Sequence, residues 1–311
     1  MKMRAKRGFI TIATGDKYYY KLAANLLMSY KLKTDNPYPF AIIAEEENDC
    51  TALFDDVIIV KEVTRSFMDK FLLLKYCPYN ETIFFDADIL AYDDLNEYWN
   101  IFRNATDFSS IGKNCSTSED GAWYDIDGIG RFGDNLKYKV KVHSGVCFIR
   151  NSEKLKKLYD DCMDIISNYD KLKIKRFRSS KDEATLGIAM PMNNMYATRE
   201  QPEYLAVLPC LSYIRVSVLQ NVLVYKNNWG TSVNHGGILV HFGTEQTHEP
   251  LYRFEVECFK HLANNSSDSL LFKIRYKLGT RWISLRISFC IYKAICMYKR
   301  VRKKICKKYI S

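Results

Sequence analysis

The stretch ETIFFDADILAYDDL, Glu81–Leu95, begins as a short apolar run and then places four carboxylates within nine residues. Thr82–Phe85 has the β-branched and aromatic content of a buried strand, so Asp86-Ala87-Asp88 leaves that strand directly. At a period of two, Asp86 and Asp88 project to one side and Ala87 turns away. Two adjacent carboxylates repel, and they need a cation, a hydrogen-bond network or bulk water. A solvated turn opening the next helix satisfies the same pattern, because a bare D-x-D is short and common. Asp93 and Asp94 read as the acidic start of that helix, where its dipole favours negative charge.

The flanking segments decide what kind of strand this is. RGFITIATGD reads as a first strand stopped by Gly15-Asp16, and KYYYKLAANLLMSYKLK as a helix with Tyr19, Leu22, Leu26 and Tyr30 at helical spacing. FAIIAEE and DDVIIV read as strands, and FMDKFLLLKYC as a helix. Strands and helices in alternation imply right-handed βαβ units around a mostly parallel, Rossmann-like sheet flanked by helices. Ligands of such sheets gather at the carboxyl ends of the strands, where Asp86 and Asp88 stand. Further on, KVHSGVCFIRN reads as a strand, SEKLKKLYDDCMDIISNY as a helix capped by Ser152, and GILVHFGTE as a late strand ending at His241. The intervening Lys113–Asp134 reads as a long loop, with Trp123, Tyr124 and Asp125 suited to a sugar-stacking lid or to an ordinary irregular surface loop.

With 311 residues, 47% hydrophobic and 26% charged, the chain has globular composition and enough length for a large core. Its ten cysteines lack any CxxC pair, and the apolar run near the N-terminus is only about seven residues, which favours reduced thiols in the cytoplasm over a secreted disulfide framework. The net charge of +10 is unevenly distributed. Thirteen of the 46 basic residues follow Asp268, with no acidic residue among them, leaving 33 basic against 36 acidic residues up to and including it. A mildly acidic globule, residues 1–263, thus precedes a linker and basic tail, residues 264–311. The tail's longest uncharged run, Ile287–Tyr292, is six residues, far short of the ~20 that span a bilayer. Its cations interleaved with Ile, Phe, Trp and Tyr suit a helix lying on an anionic membrane surface, which would place the protein on the inner face of the cytoplasmic membrane. Nothing before the tail reads as a nucleic-acid module.

An Asp-x-Asp pair with a strand-terminal His is a hard-oxygen donor set with one imidazole, suited to Mn²⁺ or Mg²⁺ rather than Zn²⁺. Several segments then combine in order. FITIATGDKYYYKLAANLLMSY, DKFLLL, FFDADIL, HSGVCFI, KDEATL and LVHFGTEQTHEPL together resemble the family-eight glycosyltransferases of GT-A fold, the glycogenin and lipopolysaccharide galactosyltransferase group, over roughly residues 8–251. The resemblance implies nucleotide contacts at Thr11, Ala13 and Tyr18, a basic donor contact at Lys70, and donor contacts at Asp86, Ala87, Asp88, Ser144, Gly145 and Gly243. It also implies a metal site formed by Asp86, Asp88 and His241, and a catalytic role for Asp182 and Glu183 in orienting the acceptor or stabilising an oxocarbenium-like state. The activity implied is transfer of a hexose from a UDP-sugar, with retention, to a glycan or glycolipid acceptor.

The chain departs from the family pattern at several positions. His143 stands where the family has Asn, and Glu183 where it has Gln. Gly243 follows His241 by two residues rather than three, and the terminal Lys is absent, leaving Arg178, Lys181 or His248 as sources of positive charge. Two other readings stand beside the transferase. A haloacid-dehalogenase phosphatase also follows an apolar strand with D-x-D, although Leu90 replaces its Thr or Val. A non-catalytic glycan-binding relative would explain the departures.

Overall fold

The computed structural model describes residues 6–174, 181–228, 231–234 and 236–264. Its centre is a seven-stranded sheet built from β1 (Arg7–Ala13), β2 (Phe40–Ala44), β3 (Asp56–Ile59), β4 (Glu81–Phe85), β6 (Phe108–Cys115), β7 (Lys139–Arg150) and β8 (Thr198–Arg199), in the order β3-β2-β1-β4-β7-β6-β8. Within this sheet only β7 runs against the others. The expected mostly parallel α/β architecture is therefore present. The remaining strands, β5 (Ile89–Ala91), β9 (Ala206–Val207), β10 (Leu211–Ser217), β11 (Val222–Asn227), β12 (Ser232–Val233) and β13 (Leu239–His241), form two three-stranded sheets, β5-β13-β9 and β10-β11-β12.

The helices are α1 (Lys17–Lys33), α2 (Leu73–Tyr76), α3 (Glu97–Ile101), α4 (Glu153–Asn168), α5 (Lys181–Met192) and α6 (Pro250–Ala263). Asp16 caps α1 by accepting the Tyr18 N–H at 2.7 Å, and Ser152 caps α4 through the Leu155 N–H at 3.3 Å. Alternation along the strands separates two apolar layers. Phe9, Ile83 and Phe85 pack with Tyr30 and Phe40 on one face of the sheet. Ile10, Ala41 and Phe84 pack with Leu158, Cys162 and Ile188 on the other. Both faces are thus covered, as a parallel sheet requires.

Four expectations need adjustment. Phe67–Leu72 is a 3-10 turn running into the short α2 rather than one long helix. Asp94 lies before α3 and accepts the Asn96 N–H at 2.9 Å, so it shapes the approach turn; the N-cap position itself is Asn96. Residues from Phe108 to Cys115, including the start of the expected loop, belong to β6. Within the rest of that loop, Tyr124 is fully buried and bonds the Gly187 carbonyl at 2.7 Å, while Ile129 and Phe132 are core residues. Half-buried Trp123 lies beneath the Lys141 ammonium, 4.9 Å from its ring centroid. The segment is anchored in the core, and Tyr124 has no face left for a sugar. The basic run with Arg178 and the whole tail after Asn264 lie outside the described residues. Among the described residues no helix is long and apolar enough to cross a membrane.

Candidate metal and donor site

Asp86 and Asp88 converge through a turn, not through strand alternation. The Asp86 N–H still bonds the Gly145 carbonyl of β7 at 2.9 Å, and the Ile89 N–H then closes back onto the Asp86 carbonyl at 3.1 Å. β5 leaves the main sheet and pairs antiparallel with β13, with Ile89 opposite His241. The Phe242 N–H bonds the Asp88 carbonyl at 3.1 Å. This register delivers the imidazole: His241 Nε2 is 3.0 Å from Asp88 Oδ1 and 3.6 Å from Asp86 Oδ2. One donor atom from each of the three residues lies within 4.8 Å of the others.

A second group closes the site from β7 and α5. Lys70 Nζ contacts Asp86 Oδ2 at 2.8 Å, Ser144 Oγ at 3.0 Å and Asp182 Oδ2 at 3.3 Å. Ser144 donates its hydroxyl to Asp182 Oδ2 at 2.7 Å, and its N–H lies 3.4 Å from Glu183 Oε1. Asp182 is only 2% exposed, with Oδ1 lacking a hydrogen-bond partner. Gly145 makes the close approach possible, since a Cβ there would stand 3.0 Å from the His241 ring and 3.1 Å from Asp86 Oδ2.

Burial and charge act against each other here. Burial alone lowers an ammonium, but Asp86 and Asp182 outweigh it and hold Lys70 well above its ordinary value. Burial pushes the Asp86 carboxyl up against the pull of Lys70 and His241. Asp88 feels the same burial, yet the His241 charge and hydrogen bond hold it below its usual value. His241 is raised, because its two carboxylates overcome desolvation. His143, whose ring meets that of His241 edge-on at 5.4 Å, is driven down to about 3 by burial and is a neutral imidazole. Two carboxylates and one imidazole, with no thiolate in the cluster, fit Mn²⁺ or Mg²⁺.

The other anticipated residues are placed as follows. Ala87 is buried in the turn between the two aspartates. Ala13 ends β1, and Thr11 is wholly enclosed within that strand, with Oγ1 unpartnered. Tyr18 lies on the first turn of α1, bonds Thr247 Oγ1 at 2.9 Å and stacks on the exposed His248 at 4.5 Å. Thr247 in turn bonds the Thr244 carbonyl at 2.6 Å, and Thr244 Oγ1 reaches Asp88 Oδ2 at 3.5 Å, linking Tyr18 to the Asp86, Asp88 and His241 group. Gly243, at φ +77°, makes the turn that starts this segment. Lys181 turns away, toward Asp170 and the Tyr169 ring. Sequence reasoning missed Asp69, Thr14, Thr244 and Thr247. Asp69 carried one signal, its place next to Lys70.

A mainly parallel sheet with a reversed β7, and an Asp-x-Asp turn leaving β4 beside it, is a GT-A fold. Among solved structures, the chain resembles the galactosyltransferase LgtC in complex with donor and acceptor sugar analogs, at 13% identity and a TM-score of 0.50, over 83% of this chain and 95% of that one. It also resembles apo WbbM, a bifunctional glycosyltransferase, at 11% identity and a TM-score of 0.44, over 67% of this chain and 41% of that one. The glycosyltransferase GlyE of Streptococcus pneumoniae TIGR4 follows at 10% identity and a TM-score of 0.42, over 64% and 46% of the two chains. No protein-family model and no curated protein matches the sequence. The likeness is one of fold.

Proposed function

We propose that this protein is a metal-dependent, retaining glycosyltransferase that moves a hexose from a UDP-sugar to a glycan or glycolipid acceptor. The observation that carries this reading is the convergence of Asp86, Asp88 and His241 at the carboxyl end of β4 in a GT-A fold. Those three residues would hold Mn²⁺ or Mg²⁺, and the bound cation supplies charge stabilisation to a departing diphosphate. Lys70 adds a fixed positive charge on the same wall. Glu183, half-buried, would orient an acceptor hydroxyl or stabilise positive charge on the sugar, and the enclosed Asp182 beside it, bonded to Ser144 and Lys70, would add negative charge from behind. The crystallisation of LgtC with donor and acceptor sugar analogs supports sugar ligands at such a site.

Isothermal titration of UDP-hexoses with and without Mn²⁺, followed by turnover assays, tests the reading. Mn²⁺-dependent binding is expected, and Asp88→Asn should reduce it at least about 100-fold while leaving the circular dichroism spectrum unchanged. Absence of UDP-sugar binding in the presence of Mn²⁺, or full activity in Asp88→Asn, overturns it. The basic tail, which begins with Lys273 and Arg275, supports peripheral attachment to the cytoplasmic membrane face, where a lipid-linked acceptor would be available. Flotation with anionic liposomes should be lost on truncation at Ser269; retained flotation refutes the attachment.

A further inference from the structure

Asp69 precedes Lys70 on the Phe67–Leu72 turn and is 3% exposed. Its carboxylate accepts four hydrogen bonds. Oδ2 takes the Thr14 hydroxyl at 2.6 Å and the Arg65 N–H at 3.0 Å. Oδ1 takes the Thr64 N–H at 2.6 Å and the Thr64 hydroxyl at 2.7 Å. One side chain thus joins three pieces of chain: the turn leaving β1, the segment following β3, and the turn that carries Lys70.

The same region holds an unusual backbone. Arg65 sits at φ +54°, in the left-handed region that a residue with a Cβ seldom occupies. Its N–H on Asp69 and its guanidinium on Glu45, at 2.9 Å, hold it there. Glu45, the residue after β2, also accepts the Gly15 N–H. Gly15, at φ +83°, packs against the Arg65 side chain. Asp69 and Glu45 therefore cross-link the carboxyl ends of β1 and β2 to the loop after β3, on the edge of the sheet where open α/β folds take their ligands. Burying a carboxylate is costly unless its oxygens are satisfied. Here the four bonds lie between the first βα turn and the lysine that reaches Asp86.

We infer that Asp69 is a positioning residue for the donor nucleotide: through Thr14 it holds the Thr14–Gly15 turn as one wall of the nucleotide subsite, in register with Lys70. This rests on the transferase reading above. It concerns nucleotide affinity and leaves the metal ligands untouched, since Asp69 contacts none of Asp86, Asp88 or His241.

The test uses the full chain and calorimetric titration, first with Mn²⁺ and then with UDP. Thr14→Val keeps the side-chain shape and removes the hydroxyl, while Thr14→Ser keeps the hydroxyl. Thr14→Val should weaken UDP binding about tenfold, in keeping with loss of a hydrogen bond to a charged acceptor. Its Mn²⁺ affinity should stay within about twofold of wild type, and Thr14→Ser should bind UDP as wild type does. A purely structural tie would not separate the two ligands. Wild-type UDP affinity in Thr14→Val, or equal impairment in Thr14→Ser, overturns the assignment while the transferase reading stands. A wild-type chain that binds Mn²⁺ but not UDP removes the transferase reading and the assignment with it.

Discussion

Lys70 Nζ lies 2.8 Å from Oδ2 of Asp86, the same oxygen that faces the His241 imidazole at 3.6 Å. One carboxylate is thereby held between an internal ammonium and a metal-type donor set. The acidic cluster is assembled by the protein's own cation, and it keeps its shape because Lys70 also spans to Asp182.

Lys70→Met removes that cation and leaves Asp86 and Asp182 buried without it. Breaking a buried ion pair from one side costs about 3–5 kcal/mol. Urea unfolding should show a loss of this order in metal-free protein. Added Mn²⁺ should recover part of it, because a ligand of the folded state alone stabilises that state.

Gly145→Ala tests the packing of the site. The new methyl would press on the His241 ring and on Asp86 Oδ2, at 3.0 and 3.1 Å. Mn²⁺ affinity should fall about tenfold or more, as it does when the surroundings of a metal ligand are disturbed. The far-UV circular dichroism should be unchanged.

Metal binding should weaken toward acid. His241 must be neutral to ligate through Nε2, and its carboxylate neighbours raise it above its ordinary 6.5. Mn²⁺ affinity, followed by electron paramagnetic resonance, should therefore fall about tenfold per pH unit once the pH drops below the His241 value. His143, at about 3, contributes nothing to that slope.

Glu255 on α6 makes stability depend on pH apart from the metal-type cluster. It is 1% exposed and accepts the Val218 N–H at 2.9 Å, beside the turn between β10 and β11. Burial pushes its carboxyl up to about 7 from the usual 4.5. The folded state thus retains a proton that the unfolded chain releases between those values. Its contribution is fully present below 4.5 and is lost as pH rises through 7, a difference of about 3 kcal/mol. Glu255→Gln keeps an acceptor for Val218 and cannot ionise. It should be more stable than wild type at pH 8, with a flatter dependence of the urea midpoint between pH 5 and 8.

Much of this was legible in the chain itself. The βαβ alternation was local, written in FITIA, FAIIA and TIFF as apolar runs of strand length, and the cap at Ser152 was visible as a residue type in the right place, whereas Asp16 read only as a strand stop and its cap emerged from the structure. Asp86 and Asp88 were readable because an apolar strand makes an acidic exit conspicuous. Loop residues were harder. Tyr124 looked like part of a lid because its own segment is rich in glycine and polar residues, and the α5 carbonyl that claims its hydroxyl lies far along the sequence.

The sequence by itself determined the fold class, the acidic exit of β4 and the residue types of the cluster, since these depend on periodicity and short-range chemistry. Only the tertiary structure decided how they meet. His241 reaches Asp88 because β13 pairs with β5, Lys70 reaches Asp86 from the Phe67–Leu72 turn, and Asp69 ties the first turn to the lysine. Those contacts follow from strand register and from loops closing on one another. Neither is encoded in the neighbours of any single residue.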